Sequence, residues 1–242
     1  MVWVVERALA AKSVSRAIVA TDDKRILDAV TAKGFEAMMT RGNHATGSDR
    51  VAEVAQKIDA EIIVNVQGDE PLIDPDTIDR AIAALNDSDA QVATTSEPIT
   101  NVADVLSPAV VKVVVDERGH ASSFSRNPIP FPNQAVNKYG SIEAALRNEP
   151  ALLFSFRKHT GLYAYRRQFL LQLTSWPQTE AEVAESLEQL RALDHGAKIK
   201  VVEAVSSSIG VDTLEDLERV RGIVRQRVEL AAQELDLTER SK

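Results

Sequence analysis

Short apolar runs alternate with amphipathic stretches over the first hundred residues, and this alternation narrows the fold more than any other feature. Residues 17–21 (Ala-Ile-Val-Ala-Thr) read as a strand. Asp22 or Asp23 can cap a helix from about Lys24 to Lys33, which Gly34 ends. Residues 35–39 form a short strand and 49–58 a helix. Residues 61–67 (Glu-Ile-Ile-Val-Asn-Val-Gln) are a buried-strand run that ends in Gly68-Asp69-Glu70-Pro71. Pro75 opens a helix to about Leu85, where its fixed φ is tolerated, and 92–97 form another strand. The apolar runs are continuous rather than alternating, as expected of strands covered on both faces. The reading is an α/β fold with a doubly wound, mostly parallel sheet.

The texture changes near residue 110. Residues 110–116 and 121–126 read as a hairpin around Glu117-Arg118-Gly119-His120, and 127–133 form a proline-rich loop. Residues 134–150 look like a polar, weakly patterned surface insertion. Residues 152–166 read as a long extended run, 180–195 as helical, 198–204 as a strand and 213–235 as a long amphipathic helix. No repeat or linker divides the chain. The expectation is one domain over 1–242 with a small β-rich insert at about 120–165.

The 242 residues carry no cysteine, which excludes disulfides, zinc-thiolate sites and cysteine nucleophiles. A net charge of −8 argues against a broad basic face for nucleic acid. No apolar run reaches the roughly 18–20 residues of a membrane span. Met1-Val-Trp-Val-Val-Glu-Arg lacks the cationic and apolar regions of a signal peptide and reads as an amphipathic helix already under way. A reducing cytoplasm is compatible with all of this.

In open parallel sheets, ligands bind beyond the carboxyl ends of strands. The most informative tip is Gln67-Gly68-Asp69-Glu70-Pro71. Glycine permits a tight turn or close approach, and a carboxylate there suits Mg²⁺ with phosphate as co-ligand. The plain alternative is a turn with helix-capping acids. A second carboxylate, Asp212, stands in Gly210-Val211-Asp212-Thr213, where Thr213 and Asp216 have capping-box spacing. It gains meaning if folding brings it near Asp69, since two carboxylates on one Mg²⁺ can clamp a triphosphate. Residues 40–50, with Thr46 and Gly47, form a polar loop before a helix that can seat an anion or read a base edge, or simply connect elements. His159 is a structural hydrogen-bonder unless a site surrounds it. Glu188 and Gln189 lie on a helix flank that can equally face solvent.

Together these segments resemble the 3-deoxy-manno-octulosonate cytidylyltransferases (CMP-Kdo synthetases), from residue 1 to about Arg221. The matching stretches are Val19-Ala-Thr-Asp-Asp23, Thr40-Arg41 with His44 and Gly47, Val64-Asn-Val-Gln-Gly-Asp-Glu-Pro71, Val110-Val-Lys112, Phe124-Ser-Arg126, His159-Thr-Gly-Leu-Tyr163, Leu187-Glu-Gln-Leu-Arg191 and Gly210-Val-Asp-Thr213. The resemblance implies a cytoplasmic, homodimeric enzyme of lipopolysaccharide biosynthesis with the nucleotide-diphospho-sugar transferase fold. It would join CTP to Kdo, releasing pyrophosphate. It further implies that Asp69 and Asp212 hold Mg²⁺ and that Gln67, Arg126, His159, Tyr163, Glu188 and Gln189 line the sugar pocket. Thr46 and Gly47 would lie near the cytosine, and the insert would supply the dimer contact. Arg126 makes independent sense, because a guanidinium pairs well with a sugar carboxylate.

One departure is as informative. The family pattern opens with a strand and a loop of the form Pro-Ala-Arg…Ser-x-Arg-Leu-Pro-Gly-Lys, and this sequence starts after that point. The expectation is that translation begins upstream of Met1, or that the gene has decayed. Little or no transferase activity is expected of the polypeptide as given, and equal activity from an upstream-extended version would contradict this. The edges of strands 17–21 and 61–67 that flank the missing strand would then lack partners. Two alternatives to Kdo transfer stay open, a related sugar acid such as an 8-amino analogue, and a module that only binds or dimerises. A sugar transferase with an Asp-x-Asp motif fits less well, because Asp74-Pro-Asp76 falls at a helix start.

Overall fold

The computed structural model describes residues 1–207, 209–211 and 213–239, with 227–239 as backbone. Helix α1 (Val2–Leu9) leads into strand β1 (Ile18–Thr21). Helix α2 (Lys24–Thr31) begins at Asp23, whose carboxylate accepts from Arg25 N–H, and the chain turns out at Gly34 with φ +81°. Strand β2 (Glu36–Met39) pairs in parallel with β1. Helix α3 (Gly47–Ala55) is closed by a capping box between Thr46 and Asp49. After strand β3 (Ile62–Asn65), helix α4 (Pro75–Asn86) starts with Asp74 as its cap and proline in its first turn. Strand β4 (Val92–Pro98) and helix α5 (Val102–Leu106) lead to the hairpin of β5 (Lys112–Val115) and β6 (Ala121–Ser125).

Residues 133–155 are more ordered than their polarity predicts. They form helices α6 (Asn133–Tyr139) and α7 (Ile142–Asn148) and a 3₁₀ turn (Pro150–Ser155). Ser141 caps α7 and Gly140 takes the left-handed turn between the two helices. Leu146 and Phe156 anchor them against Ile99 and Val105 in a small separate core. The extended run therefore starts later than expected, as β7 (Arg157–Arg166). Helix α8 (Arg167–Leu173) follows. The stretch 180–195 is two helices, α9 (Glu180–Glu185) and α10 (Gln189–Asp194), broken at Ser186 with φ +53°. Strand β8 (Ile199–Glu203) and helix α11 (Leu214–Glu239) complete the described chain.

The main sheet runs β6-β5-β7-β4-β8, with β3 also on β7. It is mixed. Strand β4 is parallel to β8, whereas β7 runs antiparallel to β3, β4 and β5. Periodicity reports that a strand is buried and is silent about its direction, so the returning β7 was invisible to it. Helices still cover both faces of the central strands. Ile63, Val92, Tyr165 and Leu170 pack in one core, and Ile78, Leu85, Ala93 and Leu162 in another. This explains why the strand runs are uniformly apolar.

Strand β7 is flanked by β4 on one edge. Its other edge is shared, with β5 at Lys158 and β3 from Tyr163 to Arg166. A fork thus opens between the ends of β3 and β5, in front of residues 159–162. Among the described residues β1 pairs only with β2, and β3 only with β7. Each therefore has one edge without a strand partner among the described residues.

Candidate active site

The fork collects Gln67, Asp69, His159 and Tyr163 of the residues singled out from the sequence. Beyond β3 the chain makes a hydrogen-bonded turn in which Glu70 N donates to Gln67 O at 3.2 Å. Asp69 is exposed at its apex. Val211 N donates to Asp69 O at 2.9 Å, so the late Gly210-Val211 segment lies directly against the tip. Asp212 itself lies outside the described residues. Thr213 and Asp216 form the expected cap of α11, with Asp216 N donating to Thr213 Oγ1 at 3.1 Å and Thr213 N to Asp216 Oδ2 at 3.0 Å. The donor set suits Mg²⁺, a hard cation that keeps waters and binds through one or two carboxylates plus phosphate oxygens. No group of three potential metal-ligating side chains occurs among the described residues, and such a site does not need one.

Strand β7 is irregular where it faces the fork. Thr94 of β4 pairs with Tyr163 and Thr95 with Thr160, so Gly161 and Leu162 form a bulge. Bulges re-aim side chains beside functional sites. A methyl group on Gly161 would stand 3.1 Å from Gln67 Cγ, so a larger residue here would push the Gln67 side chain aside by a few tenths of an ångström. Gln67 Nε2 donates to Gly161 O at 3.4 Å.

Behind the bulge is a row of rings. Phe124 meets His159 edge-on at 5.1 Å, His159 lies 5.3 Å from Tyr163, and Tyr163 stacks on Tyr165 at 5.7 Å. His159 is buried, and burial holds its pKa down to about 3, so the ring is neutral. Burial raises the Tyr163 hydroxyl well above its usual range, with further help from Tyr165 and the nearby Glu188 carboxylate.

Arg126 directly follows β6 and is held from several sides. Its Nε donates to Glu185 O at 2.8 Å and its Nη1 to Pro108 O at 3.0 Å. Its backbone N–H donates to the Glu185 carboxylate at 2.9 Å, and Ser125 Oγ donates to the same group at 2.7 Å. The Arg126 carbonyl accepts from Lys112 Nζ at 2.8 Å, and the same ammonium donates to Ser107 O at 2.7 Å. Lys112 is fully buried, and desolvation lowers its pKa. Sequence reading gave Lys112 and Glu185 no role. The signal for Lys112 was a lone lysine inside an apolar strand, which requires carbonyl or acidic partners.

Glu188 accepts from Gly47 N at 3.0 Å and Ser48 N at 3.1 Å, placing a carboxylate at the positive end of α3. Residues read separately as sugar-facing and base-facing are therefore directly joined. The Thr46 hydroxyl is occupied by capping, accepting from Asp49 N at 3.2 Å. Gln189 is buried, and its Nε2 has no partner among the described residues. Behind these residues, Arg191 and Glu182 form a buried fork-to-fork pair, at 2.7 Å through Nε and 2.5 Å through Nη2. The pair fixes α9 against α10.

A cytidylyltransferase family model matches residues 1–199. The fold and the acidic strand tip thus belong to a nucleotidyltransferase of the α/β class. Over 225 residues the chain is 51% identical to the 3-deoxy-manno-octulosonate cytidylyltransferase of Geotalea daltonii, covering 93% of this chain and 87% of that one. It is 50% identical over 218 residues to the protein of the same name from Geobacter sulfurreducens, covering 90% and 85%. A solved structure of CMP:2-keto-3-deoxy-manno-octonic acid synthetase complexed with CTP superposes with a TM-score of 0.81 at 40% identity, covering 93% and 87%. The chain belongs to the cytidylyltransferase family, in its 3-deoxy-manno-octulosonate branch.

Proposed function

We propose that the protein joins CTP to 3-deoxy-manno-octulosonate, forming CMP-Kdo and pyrophosphate in the cytoplasm for lipopolysaccharide synthesis. The observation that carries this reading is the bond from Val211 N to Asp69 O, which brings the two acidic segments together beside Gln67, Gly161 and the His159–Tyr163 rings. Asp69 and Asp212 would hold Mg²⁺. Bound there, the ion would neutralise the triphosphate and orient it for in-line displacement. The anomeric 2-hydroxyl of the sugar attacks the α-phosphorus, the new O–P bond forms as pyrophosphate leaves, and the hydroxyl proton is lost to water.

The chain's own residues bind and orient. With Nε and one Nη1 hydrogen tied to carbonyls, Arg126 keeps its Nη2 hydrogens for the sugar carboxylate. Gln67, His159, Tyr163 and Gln189 take the sugar hydroxyls, with Gln189 Nε2 as an available donor. Glu188 couples that pocket to Gly47 and Ser48 at the start of α3, and Thr46 and Gly47 would lie at the cytosine. Exposed Phe131 and Phe154 on the insert support a homodimer through that face, and light scattering giving a monomer mass would count against it.

The experiment is pyrophosphate release by the protein expressed from its full reading frame, with CTP, Mg²⁺ and a panel of sugar acids. Kdo should be turned over fastest, and omission of Mg²⁺ should abolish turnover. Faster turnover of another acid, or none with any, would overturn the assignment.

A further inference from the structure

Thr94 sits in the middle of β4 with no exposed surface, and its hydroxyl contacts two groups. Its Oγ1 lies 2.7 Å from Leu162 O and 2.9 Å from His159 Nε2. A carbonyl oxygen can only accept, so the single hydroxyl proton is directed at Leu162. Thr94 Oγ1 can then only accept from His159, and the proton on that contact belongs to Nε2. A neutral imidazole has one N–H, and burial keeps this ring neutral. Nδ1 is therefore a bare lone pair. The contact depends on the bulge, because the extra residues Gly161 and Leu162 turn the Leu162 carbonyl onto Thr94.

We propose that Thr94 is a positioning residue that locks His159 as the Nε2–H tautomer, so that Nδ1 accepts a hydrogen bond from a hydroxyl of the bound sugar acid. The second half rests on the reading that His159 faces the sugar. An acceptor-only ring nitrogen makes the site selective in a definite way. It welcomes a hydroxyl at that position and rejects an ether, ketone or carboxylate oxygen, which would set two lone pairs against each other without a proton between them.

The test is a ¹⁵N spectrum of the protein labelled at its four histidines, with His159 assigned by its loss in His159→Gln. The wild type should show a protonated Nε2 and an unprotonated Nδ1 for His159. Addition of Kdo should shift the Nδ1 resonance, and within a set of Kdo derivatives each methylated at one hydroxyl, one should fail to do so. Thr94→Val removes the acceptor while keeping the shape. It should let the Nδ1–H tautomer appear and raise the KM for Kdo roughly three- to tenfold, the loss expected for one hydrogen bond. The KM for CTP should stay within about twofold. Thr94→Ser should restore both the tautomer and the KM. A protonated Nδ1 in the wild type, or a Thr94→Val protein with wild-type tautomer and KM, overturns the role of Thr94. An intact Nε2–H tautomer whose Nδ1 no sugar acid perturbs overturns the hydroxyl contact. Failure of the functional assignment would appear separately, as absence of pyrophosphate release with Kdo.

Discussion

Arg126 and His159 show how differently two pocket residues acquire their properties. Arg126 is held by backbone carbonyls of Glu185 and Pro108, so on the proposed reading it would meet the sugar already oriented. Arg126→Ala should raise the KM for Kdo roughly 10- to 100-fold, as expected for a charge-assisted pair, with little change in the KM for CTP. His159 is held neutral by burial, which makes stability depend on pH. Below pH about 6.5 the unfolded chain protonates this histidine, while the folded protein does so only below about 3. The unfolded state binds more protons between those values, so stability falls as pH falls through that window, by up to about 1.4 kcal/mol per unit. Urea unfolding from pH 6.5 to 5 should show this slope, and His159→Gln should flatten it. Lower down, Glu53 adds acid sensitivity, because the Arg41 backbone N–H and then His44 hold its pKa at about 2. At this scale the sequence displayed candidates without their partners. The hydroxyl run Thr94-Thr95-Ser96 and the lone Lys112 were visible as polar residues in buried strands, but Leu162 and His159 lie more than sixty residues from Thr94.

At the scale of elements, the helix starts were the most legible part. Asp23 and the Thr213–Asp216 pair serve as read, because capping is a local hydrogen bond between near neighbours, and Thr46 and Asp74 prove to cap α3 and α4 in the same way. The break at Ser186 escaped notice, since its cause is tertiary. The buried Arg191–Glu182 pair pulls α10 across α9, and Arg191 Nη1 also reaches the carbonyls of Leu173 and Trp176 at 3.4 Å. Removing one partner strands the other charge in the core. Glu182→Ala should therefore cost about 3–5 kcal/mol in chemical denaturation. Combining Glu182→Leu with Arg191→Met should cost clearly less than Glu182→Ala alone. A cost below about 1 kcal/mol for the single change would mean that the pair does not hold the joint.

For the molecule as a whole, the α/β class and the sides of the site were readable from apolar runs and strand tips. Strand direction was not, and the antiparallel β7 is what creates the fork. The insert was underestimated for a related reason. Its helices are short and rest on a small core that draws Ile99 and Val105 from outside the segment, so they have little periodicity of their own. The fork brings the acidic tip beside Gly161 and the neutral His159 ring. The account claims that this arrangement makes one bond, from the α-phosphorus of CTP to the anomeric oxygen of Kdo. The most direct measurement is the ³¹P spectrum of the reaction with Kdo labelled with ¹³C at carbon 2. The account predicts a new phosphodiester resonance split by that carbon, in equal amount to pyrophosphate. Pyrophosphate with free CMP in place of that resonance, or a phosphodiester with no splitting, would contradict it.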